Sequence, residues 1–259
     1  MQWNSPQVTW SPVIVLGEDR QSRWLVICDH ATNRVPDFIA GGTLGIAEED
    51  MARHIAYDPG AAGVSIRLAE RLAAPVVLSN FSRLVIDPNR GEDDPTLVMR
   101  LYDGTIIPAN RHIDETEIAR RLDLCYRPYH AAVERMAGAR RDSVIVSIHS
   151  FTPQLKHRPP RPWHVGLLFA DDDRLSRPTI ELLRKEPGLV VGANQPYSGH
   201  LRGDTIDRHA IATGRQNTLI EIRNDLIQTD EQQVAWADRL AVLLPLALER
   251  AETKEDHHG

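Results

Sequence analysis

WLVICDHATNRVP, residues 24–36, is the stretch that decides how this sequence folds. It begins with five apolar residues, Trp24 to Cys28, and a short unbroken apolar run is typical of a strand buried on both faces of a parallel sheet. Polar side chains follow at once, among them Asp29, His30 and Asn33. Because open α/β sheets place their sites at the carboxyl ends of strands, this stretch predicts both an α/β fold and a functional site.

A second stretch repeats this design further along the chain. Residues 144–148 read as a strand, and His149 follows them directly. Parallel strands end at the same edge of a sheet, so we expect His30 and His149 to lie close together. Taken singly, either histidine can also be an ordinary hydrogen-bonded residue, and only their convergence would make a site.

The composition excludes several classes of protein. The 259 residues include 36 acidic and 30 basic side chains, and this net charge of -6 argues against a general nucleic-acid surface. No apolar run approaches the roughly 18 to 20 residues that span a membrane, and the amino terminus does not resemble a secretion signal. The two cysteines, Cys28 and Cys125, form no CxxC motif. We therefore expect a cytoplasmic protein without a nucleic-acid or membrane partner, and the oligomeric state stays open.

The remaining pattern predicts alternating strands and helices in a single domain over residues 1–259. Residues 1–22 are expected to be an irregular arm, and residues 252–259 a disordered tail. Further strands are predicted at 75–79, 84–86, 143–148, 163–169, 189–192 and 218–222. Helices are predicted at 61–72, at 115–138 with a break near Pro128, at 174–185, and at 230–250, where Pro245 is expected to bend or shorten the last of them.

Three side chains are candidates for a metal centre. A catalytic zinc usually takes three protein ligands from histidine and carboxylate, and leaves one position for water. His30 and His149 would supply two of them. The best carboxylate for the third is Asp58, and the alternative position is Asn33, three residues after His30.

Glu221 is a candidate general base. It is the one charged residue between Ile220 and Ile222 on a predicted strand, where a carboxylate is costly to bury without a role. Near a metal it would accept a proton from water. The alternative interpretation is a salt bridge to an arginine such as Arg223.

Arg83, Asn89 and Arg90 flank the predicted short strand at 84–86. Guanidinium groups match the two oxygens of a carboxylate, so this cluster is a candidate binding site for an acidic group. The alternative is that the two arginines pair with the acidic residues at 92–94 on the surface.

Six motifs, in chain order, make the sequence resemble a known family. CDHATNRVP, SRLVIDPNR, YRPYH, SIHSFTP, NQPYS and IEIRND resemble the N-formylglutamate amidohydrolase family, and more closely its predicted branch, from about Trp24 to Leu243. That family is similar to the zinc carboxypeptidases and aspartoacylases. The resemblance implies a three-layer, zinc-exopeptidase-like α/β fold with a mixed, mostly parallel sheet of eight strands and helices on both faces.

The resemblance also implies an activity. It predicts a metal-dependent amidohydrolase that cleaves an N-formyl or N-acyl amino acid, with N-formyl-L-glutamate as the expected substrate and Zn²⁺ as the expected metal. Such a reaction belongs to amino-acid metabolism, for example histidine degradation.

Roles for individual residues follow from the same resemblance. His30 and His149 match the metal histidines. In the zinc carboxypeptidase pattern His-x-x-Glu, the position of the glutamate ligand is occupied by Asn33, so this sequence differs from that pattern at the third metal ligand. Glu221 matches the residue that activates water and protonates the leaving amine. The other implied roles are an oxyanion contact for Arg83, binding of the substrate α-carboxylate for Asn89 and Arg90, and substrate binding for Asn194, Tyr197 and Arg223.

Several alternatives stay open at this point. The nearest is a deacylase or carboxypeptidase-like hydrolase for another acidic N-acyl amino acid, and the non-enzyme alternative is a protein that binds an acidic amino acid without turnover. A cysteine hydrolase would use Cys28 and His30. A serine hydrolase is disfavoured because the sequence contains no GxSxG.

Overall fold

A computed structural model describes residues 10–199 and 202–256 of the chain. Residues 1–9 of the predicted arm and 257–259 of the predicted tail lie outside the described residues.

A central sheet of seven strands carries the described part of the fold. In chain order, its strands are β1 Val13–Leu16, β2 Trp24–Cys28, β3 Val76–Ser79, β6 Val144–Phe151, β7 Val165–Leu168, β8 Val191–Ala193 and β9 Asn217–Arg223. Two further strands, β4 Leu101–Tyr102 and β5 Thr105–Ile106, pair as a separate hairpin.

The sheet is mixed and mostly parallel, as predicted. Its order is β1-β3-β2-β6-β9-β7-β8. Only β1 with β3 and β7 with β9 pair antiparallel in it. The described residues contain seven strands in this sheet rather than the eight expected.

Helices cover both faces and complete the three layers. They are α1 Glu48–Met51, α2 Ala61–Arg71, α3 Glu115–Arg121, α4 Arg127–Gly138, α5 Ser176–Leu183, α6 Thr205–His209 and α7 Asp230–Asp256. Alternate residues of a strand point to opposite faces, so Val26 of β2 packs in the layer of α2 and α7, whereas Leu25 and Ile27 pack in the layer of α4. The same alternation explains why β2 is apolar throughout. No helix within residues 10–199 and 202–256 is long and apolar enough to cross a membrane.

The predicted break near Pro128 is confirmed. A π-helical segment, Leu122–Tyr126, separates α3 from α4, and Pro128 stands in the first turn of α4. Proline cannot donate a backbone hydrogen bond, so a local change of helical pitch at this point is expected. In contrast, α7 continues through Pro245.

Three predicted features of the chain are wrong. Residues 84–86 form a buried turn rather than a strand, because side chains bond their backbone: Asn110 donates to the Leu84 carbonyl and Arg121 to that of Val85. Strand β1 lies within the arm that was expected to be irregular. Residues 252–256 belong to α7, although a disordered tail was expected there.

Candidate active site

His30 and His149 come together at the carboxyl edge of the sheet. Strands β2 and β6 are parallel neighbours; His30 follows the end of β2 by two residues, and His149 lies two residues before the end of β6. The two ring centroids are 4.9 Å apart in an edge-to-face arrangement, and both side chains are 2% exposed. The structure thus places the two histidines as the sequence predicted.

Asp58 joins the two histidines. Its Oδ2 lies 3.3 Å from Nδ1 of His30 and 2.9 Å from Nδ1 of His149. The backbone N–H of Asp58 donates to the carbonyl of His30, which fixes the turn before α2 against the end of β2. One ligand atom from each of the three side chains lies within 4.8 Å of the others, so this buried group could hold a metal ion. Asn33, the other candidate, is exposed and donates to the Met51 carbonyl instead.

Two further carboxylates hold the outer nitrogens of the histidines. Nε2 of His30 lies 2.7 Å from Asp87, and Nε2 of His149 lies 3.0 Å from Asp29. A metal-ligating histidine usually donates its second N–H to such a carboxylate. With both Nε2–H groups donated outward, each Nδ1 presents a lone pair to the same Asp58 oxygen. Three facing acceptors of this kind are satisfied by a cation between them, either a metal ion or a proton on one of the imidazoles.

The acid and base strengths of the group follow from its burial and its charges. Burial by itself would raise the pKa of Asp58 and of Asp29, but the neighbouring histidines hold the pKa of both carboxyls well below its usual range. Burial would likewise lower the pKa of His149, but hydrogen bonds to Asp29 and Asp58 raise it well above its usual value. The ionised carboxylates therefore stabilise positive charge at this site.

Glu221 lies beside this group. It pairs in register with His149 across the parallel β6 and β9 strands, and registered neighbours present their side chains on the same face. Glu221 is 7% exposed, and its Oε2 has no hydrogen-bond partner among the described residues. Burial raises the pKa of Glu221 to about 7. A carboxyl with that pKa can both accept and donate a proton near neutral pH.

A cavity of about 270 Å³ opens over Glu221 and the three candidate ligands. Arg83 lines it and donates to Asp87 through Nε and Nη2, at 3.1 and 2.6 Å. Its Nη1 lies 3.6 Å from Asp58. Burial would lower the pKa of Arg83, but Asp87 and its other neighbours raise it, so the guanidinium stays charged.

The other predicted substrate residues divide into two groups. Asn89, Arg90 and Tyr197 line the cavity, whereas Asn194 and Arg223 do not. Asn194 accepts from the backbone N–H groups of Phe169 and Gly199, and so shapes a loop at the rim. Arg223 pairs with Asp225 and donates to the carbonyls of residues 161 and 163. The Arg223 contact also means that Glu221 and Arg223 form no salt bridge, which was the alternative interpretation of Glu221.

Comparison with known proteins identifies the family. A family model described as N-formylglutamate amidohydrolase matches residues 22–228. The chain belongs to the N-formylglutamate amidohydrolase family. It is a hydrolase of amide bonds, as the sequence motifs implied.

Two solved structures resemble this member of the family. Gene product Atu2144 from Agrobacterium tumefaciens is 34% identical, with a TM-score of 0.88 over 94% of this chain and 97% of that one. N-formylglutamate amidohydrolase from Ralstonia eutropha JMP134 is 23% identical, with a TM-score of 0.70 over 94% of this chain and 98% of that one. The second likeness shows a shared fold. No curated protein gives a significant match.

Sequence reasoning missed several residues of this amidohydrolase site. Asp29 and Asp87 stand inside two of the quoted motifs, directly before His30 and three residues before Arg90, and these positions were the signal that could have indicated them. Asp29 also accepts from Ser147, Tyr129 and Thr205. The remaining lining residues that were missed are His54, Tyr102, Ser150, Phe151, Leu168, Phe169, Ser198, Gly199, Asp204, Ile206 and Leu219.

Proposed function

We propose that this amidohydrolase cleaves the amide bond of N-formyl or other N-acyl amino acids with a divalent metal, Zn²⁺, held by His30, His149 and Asp58. The observation that supports it most is the convergence of three buried donors on one point, with carboxylates behind both imidazoles. N-formyl-L-glutamate, which gives the family its name, is the reference substrate.

The donor set fits zinc. Zinc prefers imidazole nitrogen and carboxylate oxygen in a tetrahedral arrangement, with bonds of about 2.0 to 2.2 Å, which puts neighbouring ligand atoms about 3.4 Å apart. The observed separations from Asp58 Oδ2 are 3.3 and 2.9 Å to the two Nδ1 atoms. Two protein nitrogens and one oxygen leave a fourth position for the reactants.

The described side chains divide the chemistry between them. When bound, the metal would act as a Lewis acid on the substrate carbonyl and on a water molecule. Glu221 takes a proton from a water molecule, and the oxygen of that water attacks the carbonyl carbon. Glu221 then donates the proton to the amine nitrogen as the C–N bond breaks, which releases the amino acid and the carboxylic acid, formate in the case of a formyl group.

The arginines stabilise charge on either side of the scissile bond. Arg83 offers its guanidinium to the negative charge that develops on the carbonyl oxygen, an interaction of several kcal/mol in sites of this kind. Arg90, with Asn89 beside it, binds the substrate α-carboxylate. These two residues position the substrate and take no part in proton transfer.

Chelation tests the metal directly. We expect the purified protein to contain about one zinc per chain. Removing it should abolish release of the free amine from N-formyl amino acids, and zinc should restore that release. His257 and His258 near the carboxyl end could bind additional zinc, so both are replaced by alanine before the metal is counted. Full turnover by the metal-free protein would contradict the proposal.

Glu221→Gln tests the base. Glutamine keeps the shape of the side chain and cannot accept the proton, so we expect kcat to fall by about 100-fold to 10,000-fold with little change in KM. Glu181→Gln, on the exposed surface of α5, is the matched control and should leave kcat unchanged. Near-normal turnover by Glu221→Gln would mean that another group is the base.

The cysteine hydrolase alternative loses support. Cys28 is fully buried in β2, and burial raises its pKa well above the usual value, so the thiol stays protonated. A reactive cysteine needs the opposite shift. Loss of activity on chelation separates a metalloenzyme from both a cysteine hydrolase and a binding protein.

A further inference from the structure

Arg161 is a cation beside the cavity that the chemistry described above does not use. Its guanidinium carbon lies 5.0 Å from the ring centroid of Tyr197 and 5.7 Å from that of Phe151, and both rings line the cavity. The residue is half-buried. Contacts of this kind between a guanidinium and aromatic rings are favourable, so the two rings hold the cation against the cavity wall.

The hydrogen bonds of Arg161 leave one edge of its guanidinium group free. Nη1 donates to the Thr152 carbonyl and to the Tyr197 hydroxyl, both at 3.1 Å. Nε and Nη2 donate to no acceptor among the described residues, and no carboxylate of these residues lies within ion-pair distance of the group. A guanidinium presents pairs of N–H groups that match the two oxygens of a carboxylate. The edge formed by Nε and Nη2 is such a pair.

The two arginines that line the cavity differ in how much charge they offer. Arg83 already lies against two carboxylates, Asp87 and Asp58, so its charge is balanced before any substrate enters. Arg90 has no acidic partner within ion-pair distance in the described part of the chain, and the proposed function gives it the substrate α-carboxylate. Arg161 is therefore a second unpaired guanidinium at the same cavity.

The backbone that carries Arg161 is fixed by hydrogen bonds. Its N–H donates to the Pro153 carbonyl at 2.8 Å, which closes the loop after β6. On the other side, Nη1 of Arg223 lies 3.5 Å from the Arg161 carbonyl and 3.3 Å from the Trp163 carbonyl. A group held in place before binding loses less conformational freedom when the ligand arrives. The loop thus presents Arg161 in a prearranged position.

We propose that Arg161 binds a second carboxylate of the substrate and thereby makes the site selective for N-acyl derivatives of acidic amino acids. The inference rests on the proposed function and names the residue that determines its substrate class. A side-chain carboxylate would meet the free Nε and Nη2 edge, while Arg90 holds the α-carboxylate. A neutral side chain would leave that edge without a partner. Arg161 positions the substrate and takes no part in proton transfer.

The test compares two substrates of the same shape. N-formyl-L-glutamate and N-formyl-L-glutamine differ by a carboxylate against a neutral amide. With zinc-loaded protein, we expect kcat/KM to be at least about tenfold higher for the glutamate compound. Equal values, or a preference for glutamine, would overturn the inference while leaving the proposed function intact. No turnover of either compound would overturn the proposed function together with it.

Arg161→Gln then tests the source of the selectivity. We expect KM for the glutamate compound to rise by at least about tenfold, with kcat within about threefold of the wild type. For the glutamine compound, kcat/KM should stay within about threefold, because that substrate has no carboxylate for Arg161 to bind. A residue that only supported the wall of Phe151 and Tyr197 would affect both substrates alike. An equal loss for the two compounds would therefore overturn the inference.

Two further variants separate the geometry of Arg161 from its charge and from the charge of its loop. Arg161→Lys keeps a positive charge without the paired N–H groups, so its preference for glutamate should lie between those of the wild type and Arg161→Gln. Arg158 is exposed on the same loop, and Arg158→Gln is the matched control that should leave the preference unchanged. If Arg158→Gln lowered the preference as much as Arg161→Gln, the selectivity would come from the general charge of the loop, and the assignment to Arg161 would be wrong.

Discussion

The residues that the structure describes contain two buried histidine pairs, and these pairs have opposite electrostatic surroundings. His30 and His149 at the candidate metal centre have ring centroids 4.9 Å apart, and His130 and His209 between α4 and α6 have centroids 5.1 Å apart. All four side chains are nearly inaccessible to solvent. Distance and burial therefore do not distinguish the pairs.

Their hydrogen-bond partners do distinguish them. His130 Nε2 must donate to the Pro88 carbonyl, so His130 Nδ1 accepts from Nε2–H of His209, at 2.9 Å. No lone pairs face one another, and each ring is satisfied in its neutral form. Burial, followed by the charge of Arg208, lowers the pKa of His130 to about 3 and that of His209 to about 4. In contrast, three carboxylates surround the first pair and direct both Nδ1 atoms inward. Neighbouring carboxylates, rather than the proximity of two imidazoles, make a cation site.

The largest expected effect comes from removing one histidine from each pair. His149→Ala should lose its bound zinc, and kcat/KM should fall by about 1,000-fold or more. His209→Gln, in the other pair, should retain about one zinc per chain and turnover within a few-fold of the wild type. Metal analysis and steady-state kinetics on both variants measure the contrast. Equal loss of zinc in the two variants would show that the pairs do not differ as we propose.

An intermediate effect is expected at the carboxylate behind His149. Asp29→Asn should weaken zinc affinity by about 10-fold to 100-fold, because the amide is a poorer acceptor for the imidazole N–H. Tyr129→Phe removes one donor to Asp29 but keeps the carboxylate, so its zinc affinity should stay close to wild type. Competition with a chelator of known affinity measures both. If the two variants lose affinity equally, the effect of Asp29 arises from packing rather than from its charge.

The smallest effect concerns the pH dependence of stability in the second pair. The folded pKa values of His130 and His209 lie below the unfolded value of about 6.5, so the neutral forms stabilise the fold above that pH. Their contribution is lost as the pH falls from 6.5 towards 4. Between pH 7.5 and 5, we expect the free energy of unfolding of His209→Gln to decline by about 2 kcal/mol less than that of the wild type.

Urea unfolding at the two pH values measures this difference. His112→Gln, an exposed histidine, is the matched control and should follow the wild type. A decline in His209→Gln as steep as in the wild type would show that His209 is readily protonated in the fold.

Much of the fold could be predicted from local patterns. The apolar run of β2 and the similar run of β6 indicated buried parallel strands, because such strands have no solvent face and need no alternation. The break at Pro128 followed from the missing backbone donor of proline. Residues 84–86 were misassigned as a strand because an apolar triplet looks the same in a buried turn. Their carbonyls bond to Asn110 and Arg121, which the local sequence does not reveal.

Residue types and their spacing pointed to part of the candidate site. Two histidines after two apolar strands, and a lone glutamate within a third, were sufficient to predict that His30, His149 and Glu221 meet. The family resemblance assigned Asn194 and Arg223 to substrate binding, yet the structure turns both side chains to loop contacts outside the cavity. It also overlooked Asp29 and Asp87, because nothing in a linear motif says which acidic side chain faces a histidine.

The sequence by itself determined which strands are buried and which residue types stand at their ends, because hydrophobic periodicity and backbone chemistry act over a few neighbouring residues. Tertiary structure decided which nitrogen of each histidine faces Asp58, which carboxylates stand behind the imidazoles, and that Glu221 lies beside His149 across β6 and β9. Those relations join residues up to 176 positions apart, as in the bond from Thr205 to Asp29. Charges interact through space with a strength set by distance and burial, and chain packing alone supplies both.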